Sequence, residues 1–238
     1  MRADQLLVKR GLFESRAKAQ AAIAAGLVIA DDSPVKKPSD EIATDAVLHA
    51  QPAHPYVSRG GVKLIAALDR FGFDPAGRIA LDVGASTGGF AEALLARGAR
   101  RIYAIDVGQG QLHASLRARP EIVSIEKTDI RTMTPAQLPE LPDFATVDVS
   151  FISLKLVLPV IGNLMTRPAW LLALIKPQFE AGPRQGKKGV VRDARIHAAI
   201  CDEIAGFVAG LGWTVTGISP SPIAGRDGNR EFFIGARR

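Results

Sequence analysis

The stretch Leu81-Asp82-Val83-Gly84-Ala85-Ser86-Thr87-Gly88-Gly89-Phe90 constrains this chain more than any other. An apolar run stops in a turn of small residues and opens onto Ala91-Glu92-Ala93-Leu94-Leu95, the pattern of strand, tight turn and helix. Glycine in such a turn supplies backbone angles that a side chain forbids and lets a ligand come close to the main chain. The spacing departs from G-x-G-x-x-G, whose second glycine makes room for a pyrophosphate, because Ser86 holds that place. A phosphate-free nucleoside cofactor fits better. S-adenosylmethionine (SAM), which joins adenosine directly to a sulfonium amino acid, is such a ligand. On this motif alone a dinucleotide and a purely structural turn stay open.

The flanking sequence alternates in the same way. Strands are expected at 79–83, 101–106, 122–125, 144–149 and 170–175, with helices near 88–97, 110–119 and 195–211. Such alternation builds an open, doubly wound parallel sheet. The last two strands, 213–219 and 231–236, flank a Pro/Gly-rich loop and pair as an antiparallel hairpin. A Rossmann-like sheet closed by such a hairpin is the shape of SAM-dependent methyltransferases.

In these sheets ligands bind beyond the C-terminal ends of the parallel strands. The expected rim holds Asp82 and the turn Gly84, Ala85, Ser86, Thr87, Gly88 and Phe90, then Asp106, Asp129, Asp148 and Lys176. Asp106 follows Gly84 by 22 residues, where a carboxylate can accept bonds from ribose hydroxyls. Asp129 is placed to meet the adenine amino group, with Ile130 or Val107 against the ring, although a plain turn aspartate reads equally well. The closing strand runs opposite to the others, so its first residue, Glu231, starts on the same rim as Asp148 and Lys176. Lys63 falls in the first turns of a helix over 60–71 capped by Ser58, where the helix dipole disfavours a cation; taken alone it reads as solvated surface.

Residues 1–50 differ. Two short helices, at 3–9 and 16–25, precede short strands near 27–29, 35 and 46–48, a small α+β module. Residues 1–20 carry five basic side chains against two acidic ones. Lys9, Arg10, Arg16 and Lys18 suit contact with a folded phosphate backbone, a solvated helical face being the bland alternative. A formal charge of +6 and a pI near 9.7 favour an anionic partner without identifying it. The single cysteine, Cys201, excludes an intrachain disulfide and a cysteine-cluster metal site, and no metal is expected. The N-terminus lacks an apolar signal core, and the apolar region 156–175 is broken by Pro159, Asn163, Arg167 and Pro168; a cytoplasmic protein away from the membrane is expected.

Asp4-Gln5-Leu6-Leu7-Val8-Lys9-Arg10-Gly11-Leu12, Ser15-Arg16-Ala17-Lys18-Ala19 and then Ile23, Gly26 and Val28 resemble an S4 domain, which implies RNA contact through the two basic helices. Lys63, Asp148, Lys176 and Glu231 resemble the Lys-Asp-Lys-Glu tetrad of FtsJ-type RNA 2′-O-ribose methyltransferases. Tyr56-Val57-Ser58-Arg59-Gly60-Gly61-Val62-Lys63-Leu64, the turn 82–90, Asp148-Val149-Ser150-Phe151-Ile152-Ser153-Leu154, Ile175-Lys176-Pro177-Gln178-Phe179-Glu180 and Gly189-Val190-Val191-Arg192-Asp193 together resemble the TlyA family over essentially the whole chain. The resemblance implies an S4-like domain at 1–50, a linker at 51–57 and an FtsJ-type methyltransferase domain at 58–238. It further implies SAM as cofactor and methylation of a cytidine 2′-hydroxyl in ribosomal RNA. The short stretch before the first motif resembles the family's shorter branch, favouring 23S over 16S rRNA.

Methyl transfer to a hydroxyl is an in-line displacement that needs a base near the oxygen. Lys176 is the candidate base, and Asp148 and Glu231 chiefly orient the lysines and the hydroxyl. Arg59, together with Arg184, Lys187, Lys188 and Arg192 in the loop after the fifth strand, is expected to grip RNA phosphates; a solvated loop is the alternative. Ribosomal RNA or a subunit is the expected partner, with no protein partner. Two competing functions stay open: a ribosome-assembly factor with an inactive methyltransferase fold, and a membrane-lytic haemolysin, a label the family also carries.

Overall fold

The computed structural model of the chain describes residues 1–181, 190–225 and 228–238, so Arg184, Lys187 and Lys188 lie outside the described residues. The chain forms two compact units, Met1–Pro55 and Tyr56–Arg238.

In the first unit, α1 (Ala3–Lys9) and α2 (Arg16–Ala24) pack on a three-stranded antiparallel sheet of order β2-β1-β3, made of β1 (Val28–Ala30), β2 (Ser33–Pro34) and β3 (Leu48–Ala50). Leu7, Phe13, Ala19, Ala22, Ile23 and Val28 form its core. Ser15 caps α2, its side chain accepting from the Lys18 amide. At the centre of the polar bonding sits Asp4, fully buried. Its carboxylate accepts from Arg2 (3.1 Å), Arg16 (2.7 Å) and Gln20 (2.8 Å). These bonds, the one from Arg2 first, hold its carboxyl well below the usual carboxylate range.

The second unit begins with α3 (Arg59–Phe71) and continues through β4 (Ile79–Val83), α4 (Gly89–Ala96), β5 (Arg101–Ile105), α5 (Ala114–Arg117) and β6 (Ile122–Ile125). It is completed by β7 (Phe144–Val147), α6 (Leu154–Asn163), β8 (Trp170–Ile175), α7 (Pro177–Glu180), α8 (Ala194–Gly210), β9 (Thr214–Pro220) and β10 (Phe232–Arg237). The seven-stranded sheet has the order β6-β5-β4-β7-β8-β10-β9, parallel except for β10, which runs antiparallel to both its neighbours. All five residues of β4 are buried, as expected of a strand covered on both faces. The chain departs from β4 to one side through β5 and β6 and to the other through β7, so the ends of β4 and β7 form the switch point where such sheets bind ligands.

Two elements differ from the sequence reading. The helix expected over 110–119 shrinks to the single turn of α5, because Gly110 adopts φ 64 and the chain enters the helix only at His113, whose ring accepts from the Ser115 amide. Conversely, α6 forms where the apolar run holds Pro159. Proline removes one ladder bond, but the helix buries Leu154, Val157, Leu158 and Ile161. Its first turn is also closed from afar: Glu180 accepts from the Leu154 amide (2.8 Å) and the Ser153 hydroxyl (2.5 Å). Burial pushes the Glu180 carboxyl up, opposed by those bonds. Among the described residues no helix is long and apolar enough to cross a membrane, and no group of His, Cys, Asp and Glu could hold a metal ion.

Candidate active site

A cleft of about 260 Å³ opens at the switch point, lined by the start of α3, the turn after β4 and Asp148 after β7. The turn is shaped by close approach. Gly84 has φ 83, and a Cβ there would drive into the Asp148 carbonyl oxygen, so the ends of β4 and β7 touch only because this position has no side chain. The Ser86 amide donates to Asp106 Oδ2 (2.8 Å) and the Gly88 amide to the Ala85 carbonyl (2.7 Å). A pyrophosphate cradle needs such amides aimed outward. Two of them are bound internally, and the cleft fits a nucleoside ligand without phosphates.

Asp106 follows β5 directly and accepts from both oxygens, from the Ser86 amide and, through Oδ1, from the Gly108 amide (2.7 Å). Gln111, which the sequence did not single out, accepts from the Ser86 hydroxyl (3.0 Å). Asp129 caps a short 3-10 turn and is held by the Arg131 guanidinium (2.6 Å), which keeps its carboxyl below the usual range. Ile130 is buried in the core, whereas Val107 is 72% exposed, so only Val107 presents an apolar face at the surface there. Gly88 packs its backbone against Leu112 and Leu116. Asp82 does not line the cleft; it is fully buried beneath the turn, where Oδ1 accepts from the Thr146 hydroxyl (3.0 Å) on neighbouring β7 and Oδ2 has no hydrogen-bond partner. Burial pushes its carboxyl up to about 7, with the Asp148 and Asp106 charges adding to the shift and the Thr146 bond opposing it.

The four tetrad residues come together on the rim. The register Phe232↔Ile175 between β10 and β8 sets Glu231 and Lys176 side by side one step beyond the last pair. Lys176 Nζ lies 2.5 Å from Asp148 Oδ1 and donates to the Ser150 hydroxyl (3.0 Å). The Asp148 contact is an ion pair outside hydrogen-bond alignment. Lys63 Nζ donates to Glu231 Oε2 at 2.5 Å, both side chains being under 10% exposed. Lys63 therefore leaves the helix dipole uncompensated in exchange for a buried carboxylate contributed from the far end of the unit. Glycines serve packing here: a Cβ on Gly61 would strike the Tyr56 ring, and one on Gly89 of α4 would strike Ser58 Oγ and reach 3.0 Å from the Gly61 amide, so α3 and α4 meet at backbone distance. Beside the tetrad, Phe151 has φ 65 and stands 89% exposed, its ring 5.0 Å from that of Phe179. A bulky residue held exposed in the left-handed region is costly, and its place in the stretch 148–154 gives no sign of that conformation.

The expected phosphate contacts divide. Arg59 is exposed and lines the cleft, and Arg192 is exposed just before α8. In the first unit Lys9 is exposed, but Arg10 donates to the Ala46 and Thr44 carbonyls (2.7 and 2.6 Å), Arg16 serves Asp4, and Lys18 pairs with Glu14 (2.6 Å).

Comparison with known proteins adds two family matches: residues 56–238 fit the FtsJ-like methyltransferase family and residues 1–48 the S4 domain. The chain is 44% identical over 241 residues to the 16S/23S rRNA (cytidine-2′-O)-methyltransferase TlyA of Mycobacterium tuberculosis, covering 99% of this chain and 89% of that one. It is 39% identical over 198 residues to the 23S rRNA (cytidine-2′-O)-methyltransferase TlyA of Campylobacter jejuni, covering 82% and 76% respectively. Among solved structures, a hemolysin-labelled protein of Streptococcus thermophilus matches with a TM-score of 0.81 and 39% identity, over 100% of this chain and 88% of that one.

Proposed function

Because the chain belongs to the TlyA family, in which an S4 domain precedes an FtsJ-like methyltransferase domain, we propose that it methylates the 2′-hydroxyl of a cytidine in ribosomal RNA, with SAM as methyl donor. The observation that carries this reading is the meeting of Lys63, Asp148, Lys176 and Glu231, as two ion pairs, beside a cleft whose turn amides are bound internally. The favoured target is 23S rRNA, which both relatives' names share.

Bound SAM would supply an electrophilic methyl group with a neutral thioether as leaving group. The turn from Gly84 to Phe90 would hold the donor, Asp106 would accept from its ribose hydroxyls and Val107 would offer an apolar face to its base. Lys176 takes the proton of the RNA hydroxyl. It does so as the neutral amine, with its nitrogen 2.5 Å from Asp148 Oδ1. Asp148 and Ser150 aim its nitrogen, and Lys63, fixed by Glu231, presents a positive charge to the oxygen as negative charge develops there. Alignment of the hydroxyl with the methyl group supplies much of the rate. The exposed Phe151 ring, set against half-buried Phe179, gives a nucleobase a face to stack on, and Arg59 and Arg192 meet phosphates.

The test is incubation with labelled SAM and ribosomal subunits lacking the modification, followed by mapping of the labelled nucleotide. Label on a cytidine ribose is expected; label on a base, or none, overturns the reading. Lys176→Ala should hold SAM within about two-fold of wild type while transfer falls by about three orders of magnitude. Substantial retained turnover removes Lys176 as the base.

A further inference from the structure

Apart from Lys63, Lys176, Glu231 and the Asp82–Thr146 pair, the buried polar side chains described in this unit are two, His197 and Asn229, each 3% exposed. Burying such groups costs stability unless they are bonded. Both bond to the same residue. The Val191 amide donates to Asn229 Oδ1 (3.2 Å), and His197 Nε2 lies 2.9 Å from the Val191 carbonyl. A carbonyl only accepts, so this bond fixes Nε2 as the protonated nitrogen. The chain of contacts runs on toward the tetrad. The Asn229 carbonyl accepts from the Gly225 amide (2.8 Å), and Gly225 lies so close to Glu231 Oε1 that a Cβ there would collide with the carboxylate. The Glu231 carbonyl accepts from the Ser221 amide (2.8 Å), and the His197 ring lies 5.5 Å from that of Phe232, the next residue.

Glu231 is thus walled by Gly225 and paired with Lys63, and the wall is held by a clamp reaching back to α8. We propose that His197 and Asn229 are positioning residues for the methyl transfer: through Val191 and Gly225 they fix the Glu231 carboxylate, and through it the Lys63 ammonium. Neither touches the cofactor cleft. The proposal rests on the methyltransferase reading above, but its geometry can be read without activity. Binding energy held in such outer contacts shows as a loss of rate without loss of cofactor affinity when the contacts are cut.

The experiment compares wild type with His197→Leu, His197→Gln and Asn229→Ala in the full chain, each checked for folding by its melt. Glutamine keeps a donor where Nε2 stands. His197→Leu and Asn229→Ala are expected to lower kcat about ten-fold with the SAM dissociation constant within about two-fold of wild type, and His197→Gln to recover most of the rate. In a Glu231→Gln background either change should add less than about a two-fold further loss, since residues acting as a unit are not additive. Hydrogen exchange supplies the readout independent of turnover. The Ser221 and Gly225 amides should exchange about ten-fold faster in both variants, with those of Ser86 and Gly88 unchanged. Unchanged exchange at Gly225, a parallel loss of SAM affinity and rate, or additive losses over Glu231→Gln would overturn the clamp. If His197→Leu does not fold, Asn229→Ala and its Glu231→Gln double variant carry the same comparison. Wild type that transfers no methyl counts against the proposed function alone, and exchange still decides the clamp.

Discussion

Asp82 shows how one carboxyl beneath the cleft couples site and stability. Its pKa of about 7 in the folded chain stands above its ordinary value near 3.8, so the folded state holds the proton more tightly than the unfolded one. The stabilisation is complete below about pH 4 and is lost as pH rises through 7, and it amounts to at most about 4 kcal/mol. Asp82→Asn removes that dependence while an amide oxygen still accepts from Thr146. Denaturant melts should find the variant gaining roughly 1 to 3 kcal/mol on wild type between pH 4.5 and pH 8. A constant difference across that range would mean that Asp82 stays ionised. The residue types of the site were legible in the sequence because carboxylates and lysines at strand ends are chemically conspicuous. Asn229 and His197 were not, since their partner is a backbone group 38 positions from the one and 6 from the other. Nor did spacing reveal that the exposed Arg16 and Arg10 would be bonded to partners within their own unit.

At the scale of elements, the turn after β4 works as a spacer. Gly84→Ala has to place a side chain at φ 83 against the Asp148 carbonyl, which should cost roughly 2 to 4 kcal/mol and move Asp148 away from Lys176. A melt and a rate measured together check this: rate should fall by more than the folded fraction does, and an unaltered rate in a folded variant would show that the contact does not set Asp148. The five strands β4 to β8 were readable because each is a short apolar run between turn signals. What escaped was decided by tertiary contact. α6 tolerates Pro159 because its buried face and the distant Glu180 complete it, and α5 stays short because Gly110 and the His113 cap set its start. The short unit at the N-terminus was legible from its caps, Ser15 and the closing glycines Gly11 and Gly26.

Over the whole molecule, charge is distributed less freely than the 30 basic residues suggest. Arg78, Arg97, Arg100, Arg101, Arg119 and Arg131 are ion-paired with acids of the same unit, as Arg16 and Lys18 are in theirs. Counterion release from RNA then falls mainly to cations outside these pairs, such as the exposed Lys9, Arg59 and Arg192. The logarithm of RNA affinity should therefore fall with the logarithm of salt concentration with a slope of about 3 to 5 in magnitude, well short of what the composition would allow. Titration by anisotropy checks it, and a flat line would remove phosphate gripping from the reading. The placement of Lys63 and Glu231 also matters before the fold is complete. They are 168 positions apart, and closing so long a loop costs chain entropy that local strands and helices do not meet. The turn after β4, contained within residues 81–90, can take shape early, whereas the Lys63–Glu231 pair exists only once β10 lies between β8 and β9. A chain in which β10 has not yet docked therefore still lacks the buried partner of Lys63.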